Sequence, residues 1–316
     1  MMSVPGTVTL PLLAALVLSG PGAQQVSAQE PHPATAETGT IDIIHHIGNS
    51  RVIELPYWKP PYTRAYHLPQ FPPLHVGGVT IDLSLTKHTV YLLLSAAIVV
   101  LVFVLSGRAI RRSQERGRPA KGFAGSMEAM ALFIRQEVVL PNVGPHGEHF
   151  APFLLTVFFF ILTMNLLGLL PWGATATGNI AVTGALALVA FVVIEVAGMR
   201  ALGLKGYLGT IFFVPHGIPG WMKLPMLVIM TPIEIIGKLA KPFALAVRLF
   251  ANMTSGHVLV LALLGLTFLF QSYYVGIGAS LLATGVMLLE VFVAFLQAFV
   301  FTLLTAVFIG LMRAEH

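Results

Sequence analysis

The sequence predicts an all-α polytopic membrane protein, and three observations lead to that fold class. Of its 316 residues, 56% are hydrophobic and only 10% are charged, whereas an average soluble domain has roughly 45–50% and 25%. The mean hydropathy is +0.84. The apolar residues are gathered into runs long enough to cross a hydrocarbon core of about 30 Å. Because the chain has no cysteine, disulfide frameworks, thiolate metal sites and cysteine nucleophiles are excluded.

The first 28 residues have the pattern of a signal peptide. An apolar stretch, Val8–Leu18, is too short to span a bilayer and is followed by small residues that end in Val26-Ser27-Ala28, a pattern typical of a cleavage site. No Lys or Arg precedes the stretch, so an uncleaved or wrongly assigned start stays open as the alternative. Residues 29–87 are polar and rich in proline, and we expect a periplasmic segment with little core of its own.

Residues 88–316 are predicted to form the membrane domain. The first span, His88–Gly107, is followed at once by six basic residues, which are Arg108, Arg111, Arg112, Arg116, Arg118 and Lys121. Most of the net charge of +5 lies in this run. The charge therefore indicates cytoplasmic anchoring by the positive-inside bias, not nucleic-acid binding.

An interfacial helix and a hairpin of two spans are predicted next. The apolar residues of the interfacial helix share one face, away from its charges, and they are Met127, Met130, Ile134 and Val138. The two spans, Ala151–Leu170 and Ile180–Met199, form a transmembrane hairpin whose only formally charged residue is Glu195. Basic residues then follow on the predicted cytoplasmic side, in agreement with the first span.

The last third of the chain holds two unusually long apolar helices. They cover about Pro225–Leu264 and Tyr273–Arg313, and each would be about 60 Å long, twice the thickness of the hydrocarbon core. Each helix must therefore break or lie strongly tilted in the membrane. The polar residues Gln271–Tyr274 are the natural turn, so we expect a membrane-embedded antiparallel pair.

Ionisable residues within these two helices are candidates for function, because each costs about 2.5–3.5 kcal/mol on insertion scales. Glu234, Lys241 and Arg248 repeat every seven residues and share one face, with Asn252 beside them. His257 lies about 180° away from Arg248 around the helix. The spacing therefore predicts two separate polar paths.

The turn also predicts which residues lie at equal depth. His257 and Glu290 are equidistant from it, and Gln297 lies on the same face as Glu290. Arg248 and Gln297 differ in depth by about 3 Å, within reach of an arginine side chain. Arginine keeps its proton, whereas His and Glu exchange theirs. This combination suits a device that admits protons from both sides to a moving acceptor on another subunit.

Structural roles are the alternatives for several of these residues. His257 and Glu290 would be a buried pair that locks the hairpin, and Glu234 with Lys238 an i,i+4 surface pair. Asn165 and Asn179 fit helix caps or interhelical hydrogen bonds better than proton ligands.

Other classes of protein are also to be weighed. His45-His46 and the run from His146 to His149 lack the order and the third ligand of a zinc site, so we expect no metal and no cofactor. An intramembrane enzyme that uses His257 and Glu290 and a secondary transporter are the rival functions.

The stretch Lys241-Pro-Phe-Ala-Leu-Ala-Val-Arg-Leu-Phe-Ala-Asn-Met resembles the signature of the a subunit of F-type ATP synthases. Further similarities cover most of the chain after the leader, at Ile44–His46, Met164–Pro171, Asn179–Thr183 and Leu296–Phe301. The resemblance implies a non-catalytic stator subunit that translocates ions, with protons as the expected ion, through two offset half-channels. It also implies that the long helices wrap a rotating c-ring.

The resemblance assigns roles to the candidate residues. Arg248 would be the stator arginine that faces the ring carboxylate, with Asn252 and Gln297 beside it and Glu234 on the cytoplasmic path. Lys241 and Asn179 lie within matching motifs. The implied partners are c-ring proteolipids, b-type peripheral-stalk subunits, the rest of the synthase and membrane lipids. The implied location is a bacterial inner membrane, with the N-terminus periplasmic and the C-terminus cytoplasmic.

The sequence departs from the family pattern at two places. His257 and Glu290 appear exchanged relative to a familiar bacterial form, which supports direct contact but leaves open which residue takes the proton first. Ala251 stands in place of the usual Gly.

Overall fold

The computed structural model describes residues 7–9, 48, 50–56, 63–72, 74–76, 79–82, 84–144, 147–170, 173–212 and 219–314. Almost all of the predicted signal peptide lies outside these residues, so it stays a prediction. The histidines at 45, 46 and 146 are outside them as well.

Seven α-helices follow one another in the described part of the chain. They are α1 (Lys87–Glu115), α2 (Gly122–Phe133), α3 (Leu140–Val143), α4 (Ala151–Gly168), α5 (Ile180–Ile211), α6 (Gly220–Phe270) and α7 (Tyr273–Ala314). A π-helical turn, Ile134–Val139, joins α2 to α3. Short 3-10 helices, Gly147–Phe150 and Ala176–Gly178, precede α4 and α5. Five helical segments within the described residues are long and apolar enough to cross a membrane, so the predicted fold class is confirmed at that level.

Helices α1 and α5 are longer than the spans that the sequence predicted, and so is α6. Helix α1 continues beyond Gly107 to Glu115, because its basic residues favour helix and keep their charged ends exposed. Helix α5 continues to Ile211, but Gly203 interrupts it with φ 69° and ψ 167°. Only glycine adopts this conformation readily. We call residues 180–202 the first arm of α5 and residues 204–211 its second arm.

The two long helices at the end of the chain are both continuous. Helix α6 runs through Pro225, Pro232 and Pro242, each of which removes one backbone donor. Only Gln271 and Ser272 separate α6 from α7, as the polar residues there predicted. Gln271 has a positive φ of 44°, which turns the chain sharply.

The chain divides into two compact units. The first unit comprises Met1–Ser95, Thr163–Ala185 and Leu249–Phe295, and the second comprises Ala96–Leu162, Leu186–Arg248 and Leu296–His316. In the first unit α6 and α7 run antiparallel. They pack closely beside their turn, where a Cβ at Gly276 would lie 2.9 Å from Thr267 Cγ2. Small residues, Ala279, Ala283 and Ala294, are buried along α7 in this unit.

The first unit also contains short strands that the sequence analysis did not predict. Strand β5 (Val79–Asp82) pairs with β1 (Thr7–Thr9) in parallel and with β4 (Leu74–Val76) antiparallel. Strands β2 (Val52–Pro56) and β3 (Thr63–His67) form an antiparallel pair. Val, Ile and Thr favour these strands, but the many prolines of the segment indicated loops.

In the second unit, α2, the π-helical turn and α3 form a segment that packs against α7. Ile134 and Val138 have no exposed surface, while Arg135 and Glu137 are exposed, so the predicted apolar face is confirmed at these two positions; Met127 and Met130 are only half-buried. The guanidinium of Arg313 on α7 donates to the carbonyl of Val143 at 2.9 Å. A Cβ at Gly310 would collide with the carbonyl of Asn142, so α7 approaches the backbone of this segment very closely.

Candidate functional site

The sequence-predicted site residues fall into two groups, one in each unit. Asn179, Asn252, His257 and Glu290 belong to the first unit, and Glu234, Lys241, Arg248 and Gln297 belong to the second.

The Glu290 carboxylate packs against the backbone of α6. Glu290 is only 9% exposed, and a Cβ at Gly256 would collide with its Oε1 and would lie 2.9 Å from its Cδ. The carboxylate is therefore level with the residue that precedes His257, close to the depth that the turn predicts. Its Oε1 is buried and accepts no hydrogen bond from any described residue. An unsatisfied buried polar atom costs about 1–3 kcal/mol, so this oxygen is a candidate for proton binding.

His257 lines a small cavity in the first unit. The cavity has a volume of about 10 Å³, and the other lining residues are Gly173, Ala174, Thr175, Gly178, Met253 and Thr254. The hydroxyls of Thr175 and Thr254 are buried and make no hydrogen bond to a described residue. A cavity of this size with polar walls accommodates a single water molecule. His257 thus faces a polar space, not a purely apolar core.

Asn165 and Asn179 have the structural roles that the sequence favoured. Asn165 has no exposed surface. Its Nδ2 donates to the carbonyl of Ala294 at 3.3 Å, and its Oδ1 accepts from Thr177 Oγ1 at 2.8 Å. Asn179 Oδ1 accepts from the backbone N–H of Ala181 at 2.9 Å. It is therefore the N-cap of α5.

Asn179 also contacts a histidine that the sequence analysis did not single out. Its Nδ2 lies 3.3 Å from Nδ1 of His88, which is buried in the first turn of α1. The available signal was the position of His88, an ionisable residue at the first position of the predicted span. Among the described residues of the first unit, His88 and Glu290 are thus buried and His257 is half-buried.

Arg248 lies on an exposed side of α6. Its neighbours Leu245 and Leu249 are buried, with 3% and 1% exposure, whereas Arg248 itself is exposed. Among the residues that the structure describes, none forms a hydrogen bond or ion pair with the guanidinium. A charged group is costly in a membrane unless it has a partner.

The predicted pairing of Arg248 with Gln297 is not seen. Gln297 is 4% exposed, and within the described part of the chain no hydrogen bond links its side chain to Arg248. Similar depth, as predicted from the turn, was not sufficient for a contact, because the two side chains point in different directions. The arginine is on an exposed side of its helix, whereas the amide is buried.

The remaining candidates are less enclosed. Glu234 and Asn252 are half-buried, and Lys241 is exposed. The Lys241 ammonium lies 5.2 Å from the centroid of the Phe308 ring, a cation–π distance. The Asn252 carbonyl accepts from Ser255 Oγ at 3.2 Å, which leaves its amide side chain for other contacts.

Sequence reasoning missed a buried polar cluster in the second unit. We call it the Lys238 cluster, and its members are Glu195, Tyr207, Thr210 and Lys238. Lys238 Nζ lies 3.7 Å from Glu195 Oε2 and donates to Thr210 Oγ1 at 3.1 Å. It also lies 4.6 Å from the centroid of the Tyr207 ring, and the Tyr207 hydroxyl donates to Glu195 Oε2.

The cluster corrects the interpretation of Glu234 and Lys238 as a surface pair. Lys238 is 7% exposed and directs its ammonium to α5, because the buried carboxylate of Glu195 is its counter-ion. Glu195 was visible in the sequence as the one formal charge of the predicted hairpin, and that isolation was the signal for a buried partner.

Comparisons with known proteins identify the family. The family model described as ATP synthase A chain matches residues 89–310. ATP synthase subunit a 2 of Prosthecochloris aestuarii is 46% identical over 276 residues, which cover 87% of this chain and 79% of that protein.

Two further relatives agree. ATP synthase subunit a 2 of Chlorobaculum tepidum is 41% identical over 314 residues, or 99% of this chain and 82% of that protein. ATP synthase subunit a of Myxococcus xanthus is 47% identical over 232 residues, or 73% of each protein. These matches extend over the membrane helices and confirm the resemblance seen in the sequence. The chain therefore belongs to the ATP synthase A chain family.

Proposed function

We propose that the chain conducts protons through two offset half-channels that face a rotating ring of c subunits, and so couples a proton gradient to ATP synthesis in the partner catalytic head. Family membership makes it a non-catalytic, multi-pass bacterial membrane subunit of the F-type ATP synthase, with a part in proton translocation. The same membership argues against the intramembrane enzyme and the secondary transporter. The paths, the partners and the residue roles are the proposal.

The observation that carries the proposal is the exposed position of Arg248. Its side chain projects from a helix whose adjacent apolar residues are buried, and it has no ionic partner among the described residues. Arginine stays charged under all working conditions. A carboxylate on a neighbouring c subunit supplies the missing counter-charge, and this carboxylate passes the arginine each time the ring advances.

The first unit supports an outer entry path. Glu290 offers a buried oxygen that accepts no hydrogen bond from a described residue, and His257 faces a small cavity with two hydroxyls. Carboxylate and imidazole groups both bind and release protons. A proton that enters this path is handed to the ring carboxylate.

The inner path starts at Glu234, which is half-buried on α6. Arg248 lies between Glu234 and His257 in the sequence of α6. Since the guanidinium gives up no proton, it blocks direct leakage between the two paths. It also favours the ionised form of an approaching ring carboxylate, which releases its proton to the inner path. Asn252 and Gln297 provide amide groups to this exchange.

The orientation and the remaining partners follow from the distribution of charge. The basic residues at the end of α1, such as Arg111 and Arg112, are exposed, and the positive-inside bias favours a cytoplasmic position for this end. The N-terminus is then periplasmic and the C-terminus cytoplasmic. The same basic end offers a surface to anionic lipids and to b-type stalk subunits.

The test uses the complete synthase in sealed vesicles. Arg248→Ala should abolish ATP-driven proton pumping, measured by a pH-sensitive dye, while the catalytic head continues to hydrolyse ATP. Arg135→Ala is the matched control, because Arg135 pairs with Glu148 at the surface, where such pairs contribute about 0–1 kcal/mol. Purification in mild detergent should also recover a c-type proteolipid with the chain. Coupled pumping in the Arg248→Ala complex would overturn the proposal.

A further inference from the structure

The Lys238 cluster is not used by either proposed path, and its construction is unusual. Tyr207 follows Glu195 by twelve residues, which would separate them by about 18 Å in an uninterrupted helix. Their side chains nevertheless form a hydrogen bond. The break at Gly203 makes this contact possible, because it turns the second arm of α5 back towards the first.

Lys238 joins both arms of α5 to α6. Its ammonium is 3.7 Å from the carboxylate of Glu195 on the first arm. On the second arm it donates to Thr210 at 3.1 Å and lies over the ring of Tyr207. One side chain of α6 therefore contacts residues on both sides of the break.

A buried ion pair of this kind acts more on geometry than on stability. The desolvation of two charges cancels much of their attraction, whereas displacement of one partner leaves a lone buried charge at high cost. Both Glu195 and Lys238 are buried. Small shifts of α6 along or around its axis are therefore strongly disfavoured at this point.

Glu234 lies one helical turn before Lys238 on the same face of α6, about 6 Å along the axis. The helix is continuous between the two residues, so whatever fixes Lys238 also fixes Glu234. We propose that Lys238 is a positioning residue, held by Glu195, Tyr207 and Thr210, which keeps the Glu234 carboxylate directed into the cytoplasmic proton path. This inference rests on the proposed function, which places Glu234 on that path.

The natural absence of cysteine allows a direct test. Glu234→Cys introduces the only thiol of this chain, and the assembled synthase is treated from the cytoplasmic side with a water-soluble methanethiosulfonate. Mass spectrometry follows the modified fraction of this chain over time and so gives the rate of thiol modification at residue 234. This rate is compared in three backgrounds, with Lys238, with Lys238→Met and with Lys238→Arg. Coupling through a packed network changes a local equilibrium by about two- to thirtyfold, so we expect the modification rate to fall by a factor within that range in Lys238→Met. Lys238→Arg should restore it.

The control background is Arg135→Met, which removes the cation of the Arg135–Glu148 ion pair in the same unit. The side chains of this pair are 45% and 62% exposed. It should leave the rate at residue 234 unchanged. With Glu234 intact, Lys238→Met should slow ATP-driven pumping and Lys238→Arg should retain it. If Lys238→Met prevents assembly, Glu195→Gln is used instead and should produce the same fall in rate.

The outcomes separate the inference from the proposed function. An equal or higher rate at residue 234 in the Lys238→Met background, with the complex assembled, overturns the positioning role and leaves the cytoplasmic path intact. If residue 234 does not react in any background, Glu234 is not on an aqueous path. That result overturns the inner half-channel itself, together with the inference.

Discussion

The carboxylate of Glu290 and the backbone of Gly256 are in such close contact that no side chain fits between α7 and α6 at this point. The absent side chain at Gly256 is what allows the Glu290 carboxylate to be buried against α6. Other glycines on the same helices, such as Gly265 and Gly285, have no atom within 4 Å of a Cβ position. The close contact at residue 256 is therefore not shared by these two glycines.

Replacement of Gly256 by Ala should impair proton pumping. The new methyl group would displace the Glu290 carboxylate, and overpacking of this kind costs about 1–3 kcal/mol. The pumping rate of the assembled synthase in vesicles is the measurement, and we expect roughly a tenfold loss. Gly265→Ala is the control on the same helix and should have little effect. Equal behaviour of the two variants would show that the close contact has no part in transport.

Exchange of His257 and Glu290 should be partly reversible. His257→Glu and Glu290→His each place two like groups at one depth and should slow pumping. The double variant restores one imidazole and one carboxylate, so we expect a coupling free energy of about 0.5–3 kcal/mol from the four pumping rates. Additive losses in this double-mutant cycle would mean that the two residues act independently.

Gly203→Ala should disturb the second arm of α5. Gly203 has φ 69° and ψ 167°, a conformation that costs other residues about 1–3 kcal/mol. The strain would draw Tyr207 and Thr210 away from Lys238, and the midpoint of thermal unfolding of the purified subunit should fall. Gly209→Ala on the same arm is the control, because a Cβ there meets no atom within 4 Å and the backbone is helical. An unchanged midpoint for Gly203→Ala would show that the arm does not depend on this backbone conformation.

The features that the sequence predicted are those that depend on one element at a time. The five apolar segments, the turn at Gln271 and the buried face around Ile134 follow from hydropathy and from the helical repeat.

Features that depend on the relative placement of two elements were harder to predict from the sequence. The i,i+4 spacing suggested Glu234 as the partner of Lys238, but the ammonium turns to Glu195 on another helix, and helical spacing contains no information about that helix. The distance from the turn likewise predicted that Arg248 and Gln297 lie at similar depth, but it contains no information about the direction of each side chain. His88 was passed over because its partner, Asn179, is 91 residues away in the sequence.

The two-residue connection between α6 and α7 also affects the order in which the first unit forms. Glu290 and Gly256 are 34 residues apart in the sequence, so the loop-closure entropy of their contact is smaller than that of a contact between more distant segments. The hydrogen bond from Asn165 to Ala294 spans 129 residues, and contacts of such high sequence separation form slowly. We therefore expect α6 and α7 to pair from their turn outwards during biogenesis. The Glu290 carboxylate would then contact Gly256 before α4 packs against α7.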